Sequence, residues 1–290
     1  MGMLNEGWVR EALADAEKAA EARDLMKLTA ALRRLPSELF LLLYFDALDN
    51  DYPHLNSWLP PLPSEADQRL WAGNAGLFLM QQGNVFIDRV FEVYGRGRTV
   101  DHNKLRVLDY GCGWGRLMRM LYRYVPADQI TGLDPWPPSL ERCEQTKVKG
   151  ELKQIDYIPN SLPVKGPYDL IFSYSVFTHI SERAQTAVLK AMRGVIAKEG
   201  LLALTIRQVN YWEQAPDLDT ATRKLMLDAH MQNGFAFLRH SDEGTDRAAD
   251  YGDTSLTLDH IRRNWSDWKL VETDWRLIDE FQTYVFLKPA

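Results

Sequence analysis

One stretch limits what this chain can fold into more than any other: Leu105-Arg106-Val107-Leu108-Asp109-Tyr110-Gly111-Cys112-Gly113-Trp114-Gly115-Arg116. An apolar run ends in an acid, glycine follows at every second position, and helical spacing resumes over Leu117 to Tyr124. Strand, glycine turn and helix in that order open a doubly wound α/β sheet, whose ligand crevice lies at the carboxyl ends of its strands. Glycine suits such a turn because it adopts positive φ and has no Cβ to hold a ligand away. The helix that follows turns its N-terminal amides toward whatever lies over the loop. The dinucleotide fingerprint G-x-G-x-x-G places its third glycine later than Gly115 does, so a nicotinamide site fits poorly.

The rest of the core reads in the same alternation. Gln129 to Pro135 is a second strand ending in Asp134, a carboxylate placed to accept hydrogen bonds from ribose hydroxyls. Glu151 to Asp156 is a third strand, and Tyr168 to Ser175 a fourth, apolar enough to be buried on both faces. Ser181 is the expected N-cap of a helix over Arg183 to Ala197, with Lys198-Glu199-Gly200 closing it. Leu201 to Ile206 is a fifth strand. Leu270 to Ile278 and Phe281 to Leu287 form a hairpin through a tight Asp279-Glu280 connection.

This order, from Leu105 to Arg207 and closed by the hairpin, resembles the class I methyltransferases that use S-adenosylmethionine (SAM). The resemblance implies a mostly parallel, seven-stranded, Rossmann-like sheet with a C-terminal antiparallel hairpin. It places Asp109, Gly111, Cys112, Gly113, Gly115 and Arg116 of the loop against the cofactor, with Asp134, Pro135 and Trp136 at its ribose and adenine. Asp156 is the candidate for the adenine amine, and Ser173 and Ser175 at the end of the fourth strand complete the cofactor set. A narrower likeness is to bacterial methyltransferases found with surface-glycan assembly enzymes. It rests on Asp109 to Leu117, on Ser175-Val176-Phe177-Thr178-His179, on Arg207 with Tyr211-Trp212, and on Tyr251-Gly252-Asp253. That likeness implies O-methylation of a sugar or another small hydroxylated acceptor. N-methylation of a small molecule or macromolecule, and a non-catalytic SAM-binding subunit, are the alternatives.

An alcohol acceptor must lose a proton, and a general base speeds that by about 10²–10⁴-fold. His179, just past the fourth strand, is a candidate base; the competing role is to pack under the cofactor and bond the backbone. Residues 207–268 form an insertion expected to build the acceptor pocket. There Tyr251 and Asp253 flank a glycine in a turn, as positioning donor and as base, unless Asp253 or Thr254 only caps the next helix. Arg207 either holds an anionic acceptor group or is solvated, and Tyr211 and Trp212 join it as candidate substrate contacts. No metal is expected, because His230, His240 and His260 are not ligand-spaced. Of the nine tryptophans, Trp8, Trp265 and Trp268 read as core, Trp275 as strand, and Trp114 and Trp136 as cofactor neighbours.

Composition narrows the partners. A net charge of −6 argues against gripping nucleic acid through its phosphates. No apolar run reaches the roughly 18 residues of a membrane span, and the first residues lack a basic-then-apolar signal pattern. Two cysteines, Cys112 and Cys143, give neither a disulfide framework nor zinc spacing, which suits a reducing cytoplasm. Residues 1–100 read as a helical extension, a lid or a homodimer face, preceding a methyltransferase domain over 101–290. Within the extension, Trp8 to Leu35 is helical, Pro36-Ser37-Glu38 restarts a helix, Pro53 to Pro63 is a loop, and Glu65 to Tyr94 is helical again. Trp71, Gly73 and Asn74 fall on its cofactor side.

Overall fold

A computed structural model describes residues 6–45, 48, 51–215, 218–240 and 249–290. The chain divides into two units, Met1–Gln154 and Ile155–Ala290. In the first, the apolar runs become the parallel strands β1 (Val107–Tyr110), β2 (Ile130–Asp134) and β3 (Glu151–Gln154). Val107 pairs with Ile130 and Tyr110 with Leu133, so the acids of β1 and β2 both arrive at the carboxyl end of their strands.

The helices of this unit are α1 (Gly7–Glu21), α2 (Leu25–Leu32), α3 (Ser37–Leu42), α4 (Pro53–Trp58), α5 (Glu65–Ala72), α6 (Gly76–Gly95), α7 (Arg116–Leu121) and α8 (Pro137–Gln145). Three sequence expectations change here. The helical run from Trp8 breaks after Glu21, where Arg23 takes φ 55° and Asp24 restarts the chain by capping the Lys27 amide. The stretch from Pro53 to Pro63 contains α4, because proline at the first helical position gives up an amide that has no partner there anyway. The run from Glu65 to Tyr94 is two helices: Ser64 caps α5, and Gly73 ends it in the left-handed region at φ 70°. Trp8 is half-exposed at 48%, since α1 buries Val9, Ala12, Leu13 and Ala16 instead.

The second unit holds β4 (Tyr168–Ser173), α9 (Glu182–Arg193), β5 (Ile196–Ile206), α10 (Asn210–Gln214), α11 (Thr220–Asn233), β6 (Phe235–Arg239), β7 (Gly252–Leu256), α12 (Leu258–Asn264), β8 (Trp268–Trp275) and β9 (Thr283–Pro289). β4 and β5 are parallel, whereas β9 runs antiparallel to both β5 and β8. The full sheet order is β3-β2-β1-β4-β5-β9-β8, and β6 with β7 makes a separate two-stranded sheet. This is the expected Rossmann-like methyltransferase sheet, seven-stranded and mostly parallel with an antiparallel C-terminal end. Ser181 caps α9 through the Ala184 amide, as its position implies.

Gly200, however, does not close α9. The helix ends at Arg193 with Gly194 as its cap, and Gly200 lies inside β5, which starts five residues before Leu201. The hairpin connection is also longer than a tight turn, with a helical turn over Leu277–Asp279. Trp265 and Trp268 are buried, while Trp275 is half-exposed on β8. Among the described residues, no helix is long and apolar enough to cross a membrane.

Candidate functional site

Gly111, Gly113 and Gly115 all take positive φ, at 75°, 55° and 75°. Gly115 has a second constraint: a Cβ there would stand 2.9 Å from Val148 Cγ2. The Gly111 and Cys112 amides donate to the Leu133 carbonyl at 2.7 and 3.0 Å, folding the loop back over the end of β2. Asp134 then fixes the loop from below. Its Oδ2 accepts from the Gly113 amide at 2.8 Å and its Oδ1 from the Trp136 amide at 2.9 Å. Pro135 is the link between these two anchor points.

Arg119, which sequence reasoning missed, braces the same loop. It is fully buried, with Nη1 donating to the carbonyls of Trp114 (2.7 Å) and Gly115 (3.0 Å) and Nη2 to Pro61 O and Thr146 Oγ1. Its charge also lies over the ring of Trp114, which is therefore packed inward and not laid over a ligand. Arg116 is likewise used by the protein, its Nη1 bonding the Leu79 carbonyl of α6. The Cys112 thiol is buried, and contact with the Cys143 thiol together with burial pushes its pKa up. Cys112 thus serves the site through its backbone.

Asp109 is the unusual group. Its side chain is 1% exposed and, among the described residues, its Oδ2 has no hydrogen-bond partner. Burial, with the nearby charge of Asp134, raises its pKa to about 8 against a smaller opposing pull from Arg116. A buried carboxyl with an unmet oxygen is costly unless a cationic or donor group completes it.

The N-terminal helices supply one more wall. Trp71 on α5 stands 3.8 Å from the position a Cβ would take on Gly113, and its indole N–H donates to Ser139 Oγ at 3.0 Å. Its ring meets that of Trp136 with centroids 5.0 Å apart. An Asp67–Arg142 ion pair at 2.9 Å fastens α5 to α8 beside them. Gly73 and Asn74 are exposed in the break after α5. Trp71 is tied to the loop by a contact across more than forty residues, which no local pattern announces.

In the second unit, Asp156 follows β3 and is exposed. Ser173 is buried at the end of β4, and Ser175 takes φ 59° with its amide held by Thr205 Oγ1 at 2.7 Å. A larger set converges around β7. The Gly252 amide donates to His179 O, the Thr254 amide to Thr178 O and the Leu256 amide to Arg207 O, each at 2.9 Å. β7 thereby lies between the segment after β4 and the end of β5. Gly252 makes this possible, since a Cβ there would meet the Leu238 carbonyl at 2.1 Å. Tyr251-Gly252-Asp253 is therefore strand entry and strand, not a turn. Neither Asp253 nor Thr254 caps α12; Thr257 does, through the His260 amide.

Asp253 sits at the centre. Its Oδ1 receives Arg207 Nη1 at 2.5 Å and its Oδ2 faces His240 Nε2 at 3.0 Å. Burial alone would raise its pKa, but the Arg207 charge, the His240 bond and His179 hold it below the usual carboxylate range. His179 has Nδ1 on the Gly252 carbonyl at 2.9 Å and Nε2 beside Arg207 Nη2 at 3.2 Å. Burial and the Arg207 charge push its pKa down to about 3. Tyr251 stacks on its ring at 5.6 Å, and Tyr211 lies under the Arg207 guanidinium at 4.0 Å. Burial drives the Tyr211 hydroxyl well above its usual range.

Two expectations fail here. Arg207 is not solvated at the strand end: its side chain is 13% exposed and its Nη1 pairs with Asp253. Trp212 is not a pocket wall: it is fully buried with Met226 and Ala236, and its indole N–H donates to Ser255 Oγ. His240, in contrast, joins His179 and Asp253, with one possible ligand atom from each within 4.8 Å of the others. That grouping crosses more than sixty residues, and the Arg207 guanidinium already supplies its positive charge.

Residues 107–200 match a family described as methyltransferase domain. A malonyl-[acyl-carrier protein] O-methyltransferase of Acetivibrio thermocellus is 30% identical over 140 residues, covering 47% of this chain and 47% of that protein. The chain thus spans about half the length of the curated relative it matches. Among solved structures, an S-adenosylmethionine-dependent methyltransferase from Clostridium acetobutylicum is similar over 78% of this chain and 96% of its own, at 12% identity and TM-score 0.51. The complex of DhpI with SAM and HEP is similar over 78% and 94%, at 14% identity and TM-score 0.51. At such identities the likeness is one of fold.

Proposed function

We propose that the chain is a class I SAM-dependent methyltransferase that methylates a hydroxyl of a sugar or another small hydroxylated acceptor, a reading supported by the methyltransferase-domain match over residues 107–200. The observation that carries the cofactor half is Asp109, a buried carboxyl with one oxygen unmet among the described residues, beside a glycine loop of three positive-φ residues. The α-ammonium of SAM would complete that carboxyl. Asp134, held at the end of β2 with its oxygens on the Gly113 and Trp136 amides, is the carboxylate that would take the ribose hydroxyls. Trp136 and Trp71 offer flat apolar faces for the purine. Bound SAM supplies a methyl group on a positively charged sulfur; the protein's tasks are to align it and keep water away. In this reading residues 1–100 act as a lid, an assignment supported by the ties from α5 to the loop and to α8.

The acceptor half rests on the second unit. Two imidazoles, a carboxylate, a guanidinium and two phenol rings converge around β7, a set suited to binding several hydroxyls by hydrogen bonds. The two free, buried thiols support a reducing compartment such as the cytoplasm in this reading. Incubation with tritium-methyl SAM and a panel of sugars, sugar nucleotides and simple amines tests the assignment. Label appearing on hydroxyls of the sugar probes is the expected result. Label appearing only on the amines refutes the O-methyl reading and leaves the cofactor assignment standing.

A further inference from the structure

The hydrogen bonds separate the two imidazoles of the β7 cluster. His179 has both ring nitrogens engaged. Its Nδ1 donates to the Gly252 carbonyl at 2.9 Å, leaving Nε2 as the acceptor of an Arg207 N–H at 3.2 Å. A guanidinium does not give up its proton, so a second proton on His179 would set imidazolium directly against guanidinium.

Among the described residues, His240 is held at one nitrogen only. Its Nε2 donates to Asp253 Oδ2 at 3.0 Å, and among the described residues no hydrogen bond engages its Nδ1. The ring is also the more accessible, with 38% of its side chain exposed against 21% for His179. Its position is set by the backbone: the His240 amide donates to the Tyr251 carbonyl at 3.2 Å, just beyond the β6–β7 pairing of Arg239 with Gly252. Asp253 cannot turn away, because Arg207 holds its other oxygen. An imidazole whose N–H is fixed by a buried carboxylate, with no described residue bonding the opposite nitrogen, is the arrangement that orients a general base and stabilises the imidazolium it becomes.

We propose that His240, oriented by Asp253, is the base that takes the proton from the acceptor hydroxyl. The inference rests on the O-methyl transfer reading above. The acceptor oxygen forms its bond to the methyl carbon as the carbon–sulfur bond breaks. The electron pair of that bond stays on sulfur, which becomes a neutral thioether. The hydroxyl proton moves to Nδ1 of His240 and from there to solvent. His179 is then a positioning residue that keeps Arg207 on Asp253.

The test uses the intact chain, tritium-methyl SAM and a polar small-molecule extract as the source of acceptors. His240→Gln keeps an N–H for Asp253 without a base, and His179→Asn keeps a donor for the Gly252 carbonyl. His240→Gln should transfer label about 100-fold more slowly at unchanged SAM affinity, and His179→Asn less than about tenfold more slowly. A His240→Gln rate within about threefold of the unaltered protein, or a larger loss in His179→Asn, overturns the assignment. No transfer by an unaltered protein that binds SAM defeats the O-methyl reading and the assignment with it.

A second measurement needs no acceptor. Diethyl pyrocarbonate at neutral pH should acylate His240 at least about tenfold faster than His179, by mass spectrometric mapping, and Asp253→Asn should slow His240 alone. Equal rates, or no effect of Asp253→Asn, contradict the dyad.

Discussion

Lowering the pH should weaken SAM binding steeply, and Asp109 is the reason. In the ligand-free protein its carboxyl has a pKa of about 8, raised by burial and by Asp134. At pH 7 it is therefore mostly protonated, whereas an ammonium partner requires it ionised. Binding must release that proton, so the dissociation constant scales as one plus the proton excess over the pKa. Between pH 7.5 and pH 6 Asp109 alone would cost about 25-fold in affinity, and the partly deprotonated ligand amine at pH 7.5 brings the net loss to about 17-fold, roughly 1.7 kcal/mol. The window is chosen because the ligand's own amine, with a pKa of about 7.7–8.0, stays mostly protonated across it.

Calorimetry in buffers of different ionisation enthalpy should show about 0.8 proton released per SAM at pH 7, about 0.9 from Asp109 less about 0.1 taken up by the ligand amine. Asp109→Asn should bind more weakly and lose the pH slope. Affinity independent of pH, or a slope that survives in Asp109→Asn, refutes the reasoning. Stability follows the same shift. The folded pKa lies above the unfolded one, so the contribution of the protonated carboxyl is full below the ordinary carboxylate range and is lost as pH rises through about 8. The ligand-free protein should lose stability over that span.

Three further outcomes follow from single contacts. Asp134→Ala removes the anchor of the Gly113 and Trp136 amides as well as the ribose acceptors, and should weaken SAM binding by about 1.5–3 kcal/mol, read by titration. Gly115→Ala forces a side chain to φ 75° against Val148 and should lower stability by about 2 kcal/mol or more in urea denaturation. Gly252→Ala drives a methyl group into the Leu238 carbonyl, and should cost about 1–3 kcal/mol and disturb the His240–Asp253 bond, visible in the histidine side-chain nuclear resonance spectrum.

The parts of this protein that were legible in its sequence are those encoded locally. Glycines at alternate positions after an apolar strand mark the loop, and the acids ending β1 and β2 mark its two carboxylates, because strand, turn and helix each leave a short-range pattern. Boundaries were less legible where two local signals compete. Gly200 resembles a helix stop but lies in β5, because Val195-Ile196 already favour extended backbone. Gly252 resembles a turn glycine, yet it is required in a strand where another chain segment passes too close for a Cβ. What could not be read are the groups joined by tertiary structure alone. Arg119 reaches the loop carbonyls, Trp71 reaches Ser139 and Trp136, and His240 reaches Asp253 across a hairpin; none of these partners shares a helical or strand period. Trp212 errs in the opposite direction, as an aromatic beside a candidate ligand arginine that the fold uses as core.

Calorimetric titration of the purified protein with SAM and with its demethylated product, with NAD as control, addresses the central claim most directly. Micromolar binding of the first two and none of NAD is the predicted result. Absence of SAM binding at any pH between 6 and 8 would contradict the assignment of Asp109, Asp134 and the glycine loop to that cofactor.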